Sequence, residues 1–134
     1  MMERKTLART VFLLYIAVVL YLCFGDFSGI SDDVSLQFLG IGADKVVHFL
    51  MFLPFPVLFY FAFRRPAPKV RHSIILTLCI FLFGCAVAAG TELIQDSIPS
   101  READVADFFA NSLAILLSSA AVLIIDLNKN ARNV

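Results

Sequence analysis

The sequence predicts an all-α integral membrane protein: a bundle of four transmembrane helices with both termini in the cytoplasm. Composition, the spacing of apolar runs and the placing of basic residues all predict it. Of 134 residues, 60% are hydrophobic and only 16% charged, with a mean hydropathy of +0.85. Soluble domains carry roughly 45–50% apolar and about 25% charged residues, so this balance is that of a membrane protein. Uncharged apolar runs cover 10–25, 74–91 and 108–125, and a fourth, 46–63, is interrupted only by His48. At about 1.5 Å per residue, a run of about 18 residues covers roughly 27 Å, the depth of a bilayer's hydrocarbon core. Nine of the 11 basic residues flank these runs on one side, which the positive-inside rule assigns to the cytoplasm. They are Arg4, Lys5 and Arg9, then Arg64, Arg65, Lys69 and Arg71, and finally Lys129 and Arg132; only Lys45 and Arg101 lie on the other side.

The first helix is expected over about 8–25, with Arg9 snorkelling to lengthen a short apolar run. Basic residues precede it as in a signal peptide, but no small-x-small cleavage pattern follows, so it is read as a retained span. The segment from Asp26 to Ala43, rich in Gly and Ser, is read as an external flap. The second helix, about 44–63, carries Pro54 and Pro56 at mid-span; each lacks an N–H, so a kink or local unwinding is expected there. Its phenylalanines, from Phe49 to Phe63, surround the helix broadly and read as lipid contacts and packing, not as a cofactor box.

On the third helix, about 73–95, Gly84, Ala88 and Glu92 are four apart and Gln95 follows one turn on, so a carboxylate shares a face with small residues. On the fourth, about 104–126, Asp104, Asp107, Asn111, Ala114, Ser118 and Ala121 recur at alternating spacings of three and four, a stripe that faces the bundle. Asp44 and His48, four apart, share a surface of the second helix with Lys45. A cluster of polar residues therefore forms at the extracytoplasmic end: Asp44, Lys45, His48, Glu92, Gln95, Arg101, Asp104, Asp107 and Asn111. Such groups persist at membrane depth where they pair, line a cavity or do chemistry. The cytoplasmic half offers no matching polar path, which argues against transport.

Each residue has a plain reading beside a chemical one. Asp44 and Asp104 stand where helix N-caps belong. For His48 the default reading is a packing histidine bonded to Asp44 or Glu92, and Arg101 reads as a clamp on Asp107 or Glu92. Glu92 is the leading functional candidate, with His48 second, because its carboxylate faces protein. Four carboxylates against Lys45 and Arg101 require either a retained proton or a bound cation. No metal motif such as H-E-x-x-H is present, so no metal or other cofactor is assigned, although the donor set would suit a divalent ion. Cys23, Cys79 and Cys85 lie in apolar stretches and read as small fillers; the zero net charge draws in no nucleic acid.

The pattern Asp44-Lys45-x-x-His48-Phe49, then Glu92-x-x-Gln95, then Pro99-x-Arg101-x5-Asp107-x3-Asn111, resembles the VanZ-like family of small bacterial membrane proteins, over Asp44 to Ser118. Where that family commonly has glycines after the asparagine, this chain has Ala114 and Ser118. The resemblance implies one VanZ-like domain over the whole chain, in the bacterial inner membrane, with a role in the cell envelope and lowered sensitivity to teicoplanin-type antibiotics. On this basis an outward polar pocket is expected to bind a lipid-linked, peptidoglycan-related or glycopeptide-type ligand, with Arg101 and Lys45 recognising anions. Two alternatives stand: a membrane hydrolase or transferase acting on polyprenyl-phosphate or phospholipid head groups, and a structural partner subunit held in register by a buried network.

Overall fold

The computed structural model of the protein describes residues 2–25, 37–38, 41–64, 69–98 and 104–131. Helix α1 (Met2–Phe24) is followed by a minimal antiparallel pairing of β1 (Gln37–Phe38) with β2 (Ile41–Gly42), in register Gln37 to Gly42. Helices α2 (Ala43–Phe52), α3 (Phe55–Phe63), α4 (Val70–Gln95) and α5 (Val105–Ala131) complete the described chain. Four stretches are long and apolar enough to cross a membrane: Glu3–Phe24, Asp44–Phe63, Val70–Gln95 and Val105–Ala131. The expected all-α, four-span bundle is what forms, and it is that of a multi-pass membrane protein. The flap expected over Asp26 to Ala43 falls largely outside the described residues, as do Pro99, Ser100, Arg101 and Glu102.

Helix ends run past the apolar runs. α4 starts at Val70 and α5 continues to Ala131, because Arg71, His72 and the Asp126–Asn130 turn contain no glycine or proline to stop a helix. The proline pair divides span two into α2 and α3. Leu53 (φ −58°, ψ −40°) and Pro54 (φ −73°, ψ −18°) both keep right-handed helical angles, so the break is a kink and not an unwound segment. The Tyr15 hydroxyl on α1 donates to the carbonyl of Met51, 2.7 Å away, and so satisfies an acceptor at the kink.

α5 is the central helix, packed along α4 and against α2 and α3, while α1 lies mainly on α3. Phe12 on α1 meets Phe55, Phe59 and Phe63 edge-on, with ring centroids 5.8, 5.6 and 5.5 Å away. The phenylalanines are thus packing groups, several of them internal: Phe52 and Phe55 are buried. The Arg9 guanidinium donates to the carbonyl of Ala62 instead of simply reaching for water. Gly84 lets α4 approach closely, since a Cβ there would lie 2.9 Å from Ile115 and 3.1 Å from Phe55. Of the cysteines only Cys23 is buried; Cys79 is exposed and Cys85 half-buried.

The α5 stripe is borne out through Asp107, Asn111, Ala114 and Ser118, all buried. It fails at Ala121, which is exposed, while Val122 is buried in its place. A straight helix turns at 3.6 residues, so a pattern spaced at an average of 3.5 drifts by about 20° every seven residues, and the last step of three, from Ser118 to Ala121, carries it off the face.

Candidate functional site

α2, α4 and α5 bring their polar residues together at one end of the bundle. α5 supplies the axis: the Asp104 carboxylate accepts from the backbone N–H of Ala106 at 2.8 Å, the N-cap expected from sequence. One and two turns further along, Asp107 and Asn111 point inward and are buried. Asp44 does not cap α2, whose N-cap position is Gly42; Asp44 lies in the first turn and is exposed. Its carboxylate instead holds Lys45.

The Lys45 ammonium lies among three carboxylates, 2.6 Å from Asp44, 2.7 Å from Asp104 and 3.3 Å from Asp107. These acids come from α2 and from the start of α5, so one lysine closes the mouth of the cluster across two helices. It is engaged by acids and not turned toward an incoming anion. The Lys45 ammonium holds the Asp104 carboxyl below the ordinary carboxylate range, and the Ala106 N–H acts in the same direction.

Below this mouth lies His48. Its Nε2 is 3.6 Å from Asp107 Oδ2, and its Nδ1 is 3.8 Å from Glu92 Oε1. The imidazole therefore stands between two carboxylates on different helices. Asn111 Nδ2 donates to Glu92 Oε1 at 3.4 Å. His48, Glu92 and Asn111 are 9%, 7% and 0% exposed, and Nδ1, Oε2 and Oδ1 respectively have no hydrogen-bond partner. Beside the group a cleft of about 350 Å³ opens between α4 and α5, lined by Ala89, Glu92, Leu93, Asp96, Asp104 and Phe108 among others.

The structure thus brings together Asp44, Lys45, His48, Glu92, Asp104, Asp107 and Asn111. Gln95 is at the same end but turns away: its amide donates to the carbonyl of Cys23 at 2.9 Å and secures the end of α1. Arg101, expected to face the cluster, lies outside the described residues.

Residues 12–126 match the family described as VanZ/LLP1, most of the chain and all the described members of the cluster. The chain belongs to the VanZ/LLP1 family. Among curated proteins and among solved structures, nothing matches it. The VanZ/LLP1 match begins in α1, earlier than the motif residues from Asp44 onward that carry the resemblance.

This VanZ/LLP1 protein also has a second polar network, at the opposite end of the bundle, where no polar path to match the first cluster is expected from the sequence. The Tyr60 hydroxyl donates to Asp126 at 2.7 Å, and Arg64 pairs with the same carboxylate. Arg64 also reaches Asn130 Oδ1 at 3.2 Å, and the Asn130 amide donates to Ser73 at 2.8 Å. Asp126 and Asn130 are buried. The sequence signal was there: 118, 122, 126 and 130 continue one face at intervals of four. It starts inside the last apolar run, 108–125, and ends past it at Asp126 and Asn130. This network joins α3, α4 and α5 with its donors and acceptors matched, so its role is to fix their register.

Proposed function

We propose that the protein is a ligand-binding component of the bacterial cell envelope, held in the cytoplasmic membrane with its acidic cluster outward. It would bind the polar head of a lipid-linked, peptidoglycan-related or glycopeptide-type ligand and so lower sensitivity to teicoplanin-type antibiotics. One observation carries this reading: the buried Glu92–His48–Asn111 group, with unmet hydrogen-bonding capacity, lies beside an open cleft that Glu92 itself lines. A structural network has no such surplus, as the matched Arg64–Asp126–Asn130 network at the other end illustrates. Carboxylates surround the only described lysine at the mouth, so the group recognised there is one that presents hydroxyl or amine donors. The family supports an envelope role; the ligand class is our inference from the cluster.

Native mass spectrometry of the protein in nanodiscs tests this. A co-purifying envelope ligand is expected on the wild-type chain and at least tenfold less on Glu92→Ala. Equal occupancy on wild type, Glu92→Ala and Asp107→Ala would overturn the reading.

The placing of His48 between Glu92 and Asp107 supports a second reading, a membrane hydrolase or transferase. In it His48 carries the proton and the carboxylates set its orientation. Turnover of polyprenyl or phospholipid phosphates by the wild type, lost in His48→Gln, would favour it; no turnover across such a panel would exclude it.

A further inference from the structure

We propose that His48 Nδ1, the Glu92 carboxylate and Asn111 Oδ1 are ligands for one divalent transition-metal cation of Zn²⁺ type, with Asp107 as the residue that orients the histidine. The proposal rests on the geometry of these four side chains and deepens the ligand-binding reading, since it assigns a partner to the same unmet atoms.

The donor set is built from α2, α4 and α5, one residue from each. All three residues are at least nine-tenths buried, and each has a lone pair with no hydrogen-bond partner: His48 Nδ1, Glu92 Oε2 and Asn111 Oδ1. Other buried atoms without partners among the described residues are hydroxyls, of Thr77, Ser112 and Ser119. A hydroxyl carries its own proton and can turn to a helix carbonyl, whereas these three atoms cannot. Asn111 is fixed with its oxygen free because its Nδ2 donates to Glu92 Oε1 at 3.4 Å. Of the two acids beside His48, Asp107 is the nearer, 3.6 Å from Nε2, and a proton on that side leaves the Nδ1 lone pair free. The Nδ1 lone pair then faces Glu92 Oε1 at 3.8 Å, acceptor against acceptor.

Something electrophilic belongs between them. A proton would join His48 to Glu92 but leave the Asn111 oxygen unmet, whereas the proposed cation would accept a lone pair from each. Two ligand atoms each about 2.1 Å from a tetrahedral or octahedral ion lie about 3.0–3.4 Å apart, so a small rotation of the Glu92 carboxylate closes the gap. A carboxylate behind the distal ring nitrogen is the usual support of a metal-binding histidine, and Asp107 occupies that place. One imidazole with oxygen donors suits a borderline ion such as Zn²⁺ better than Ca²⁺ or Mg²⁺. The outer acids Asp44, Asp104 and Asp107 also have oxygens within 4.8 Å of one another, but the Lys45 ammonium already lies among them. The cation is therefore assigned to the inner group, where Lys45 does not reach.

The full chain, purified in detergent and stripped with chelator, is titrated with Zn²⁺ by calorimetry and with Co²⁺ by visible absorption. One ion per chain is expected, with Co²⁺ d–d bands. His48→Gln and Glu92→Gln should abolish saturable binding. Asp107→Asn should weaken it roughly 10- to 100-fold, as expected for the loss of a supporting carboxylate. Asp44→Asn should leave affinity within threefold. A second arm leaves the site intact: His72→Gln makes His48 the only histidine, and ¹⁵N-histidine NMR reads the ring directly. Zn²⁺ should shift Nδ1 strongly and Nε2 weakly. No saturable binding by the unaltered chain, an unmoved Nδ1 resonance, or binding lost in Asp44→Asn but kept in His48→Gln would each overturn the proposal. Nanodisc ligand occupancy on a chain that shows no saturable metal binding would leave the ligand-binding reading intact while the metal site fails.

Discussion

Asn111 shows at the scale of one residue how burial raises the stakes of a polar side chain. It is fully buried on α5 and donates to Glu92. Asn111→Asp keeps the shape but sets a second carboxylate against the first in a site with little water. A cost of about 2–4 kcal/mol is expected in denaturant unfolding in micelles. Asp104 behaves differently, because it is at the mouth and well exposed. Its carboxyl is held below its ordinary range by Lys45 and the Ala106 N–H, so it favours the folded state at neutral pH. That contribution is complete above the unfolded pKa, about 3.9, and is lost as pH falls through the lower folded value. Asp104→Asn should therefore flatten the acid limb of stability against pH below about pH 4, followed by circular dichroism. An unchanged limb would mean that the Lys45 pairing is not formed in solution.

At the scale of the element, two glycines on α4 make opposite demands. A methyl group at Gly84 would meet Ile115 at 2.9 Å and Phe55 at 3.1 Å, whereas nothing lies within 4 Å of one at Gly90. Gly84→Ala should cost about 1–3 kcal/mol through overpacking between α4, α3 and α5. Gly90→Ala should be neutral or stabilise by up to about 1 kcal/mol through helix propensity. Thermal melting of the two variants side by side checks both. The kink in span two offers a separate test. Tyr15→Phe removes the donor to the Met51 carbonyl and should cost about 1 kcal/mol, the loss of a part-buried hydrogen bond. The two prolines were legible as a break in the sequence. That a tyrosine 36 positions earlier stabilises the break was not, because nothing local joins Tyr15 to Met51.

For the whole molecule, the two polar ends differ in kind. The Arg64–Asp126–Asn130 end is matched donor to acceptor, and the Glu92–His48–Asn111 end is not. Asp126→Ala should lower stability by about 3 kcal/mol, since it leaves the part-buried Arg64 without its carboxylate. It should leave ligand occupancy at the other end unchanged in the protein that remains folded. The proposed orientation puts that end in the cytoplasm, as the positive-inside rule predicts from the basic residues around Arg64. A cysteine introduced at Asp96 in a Cys-free background should accordingly be labelled by an impermeant maleimide from outside the cell, and one at Lys69 should not. The reverse pattern would remove the envelope-facing site.

Periodicity along a single helix carried much of this. The apolar runs set the number of spans, and spacings of three and four set which faces of α2, α4 and α5 are polar and at what depth Glu92, His48 and Asn111 lie. These are properties of one helix at a time, written into its residues by a rise of about 1.5 Å and a turn of about 3.6 residues. Only the packed bundle decided which of those groups meet. Lys45 is taken up by three acids, Gln95 turns to α1, Ala121 slips off the buried face, and a second network closes around Asp126 and Asn130, past the last apolar run. Relative height and rotation between helices depend on contacts such as Gly84 against Ile115, made across long stretches of chain, and no pattern within one helix encodes them.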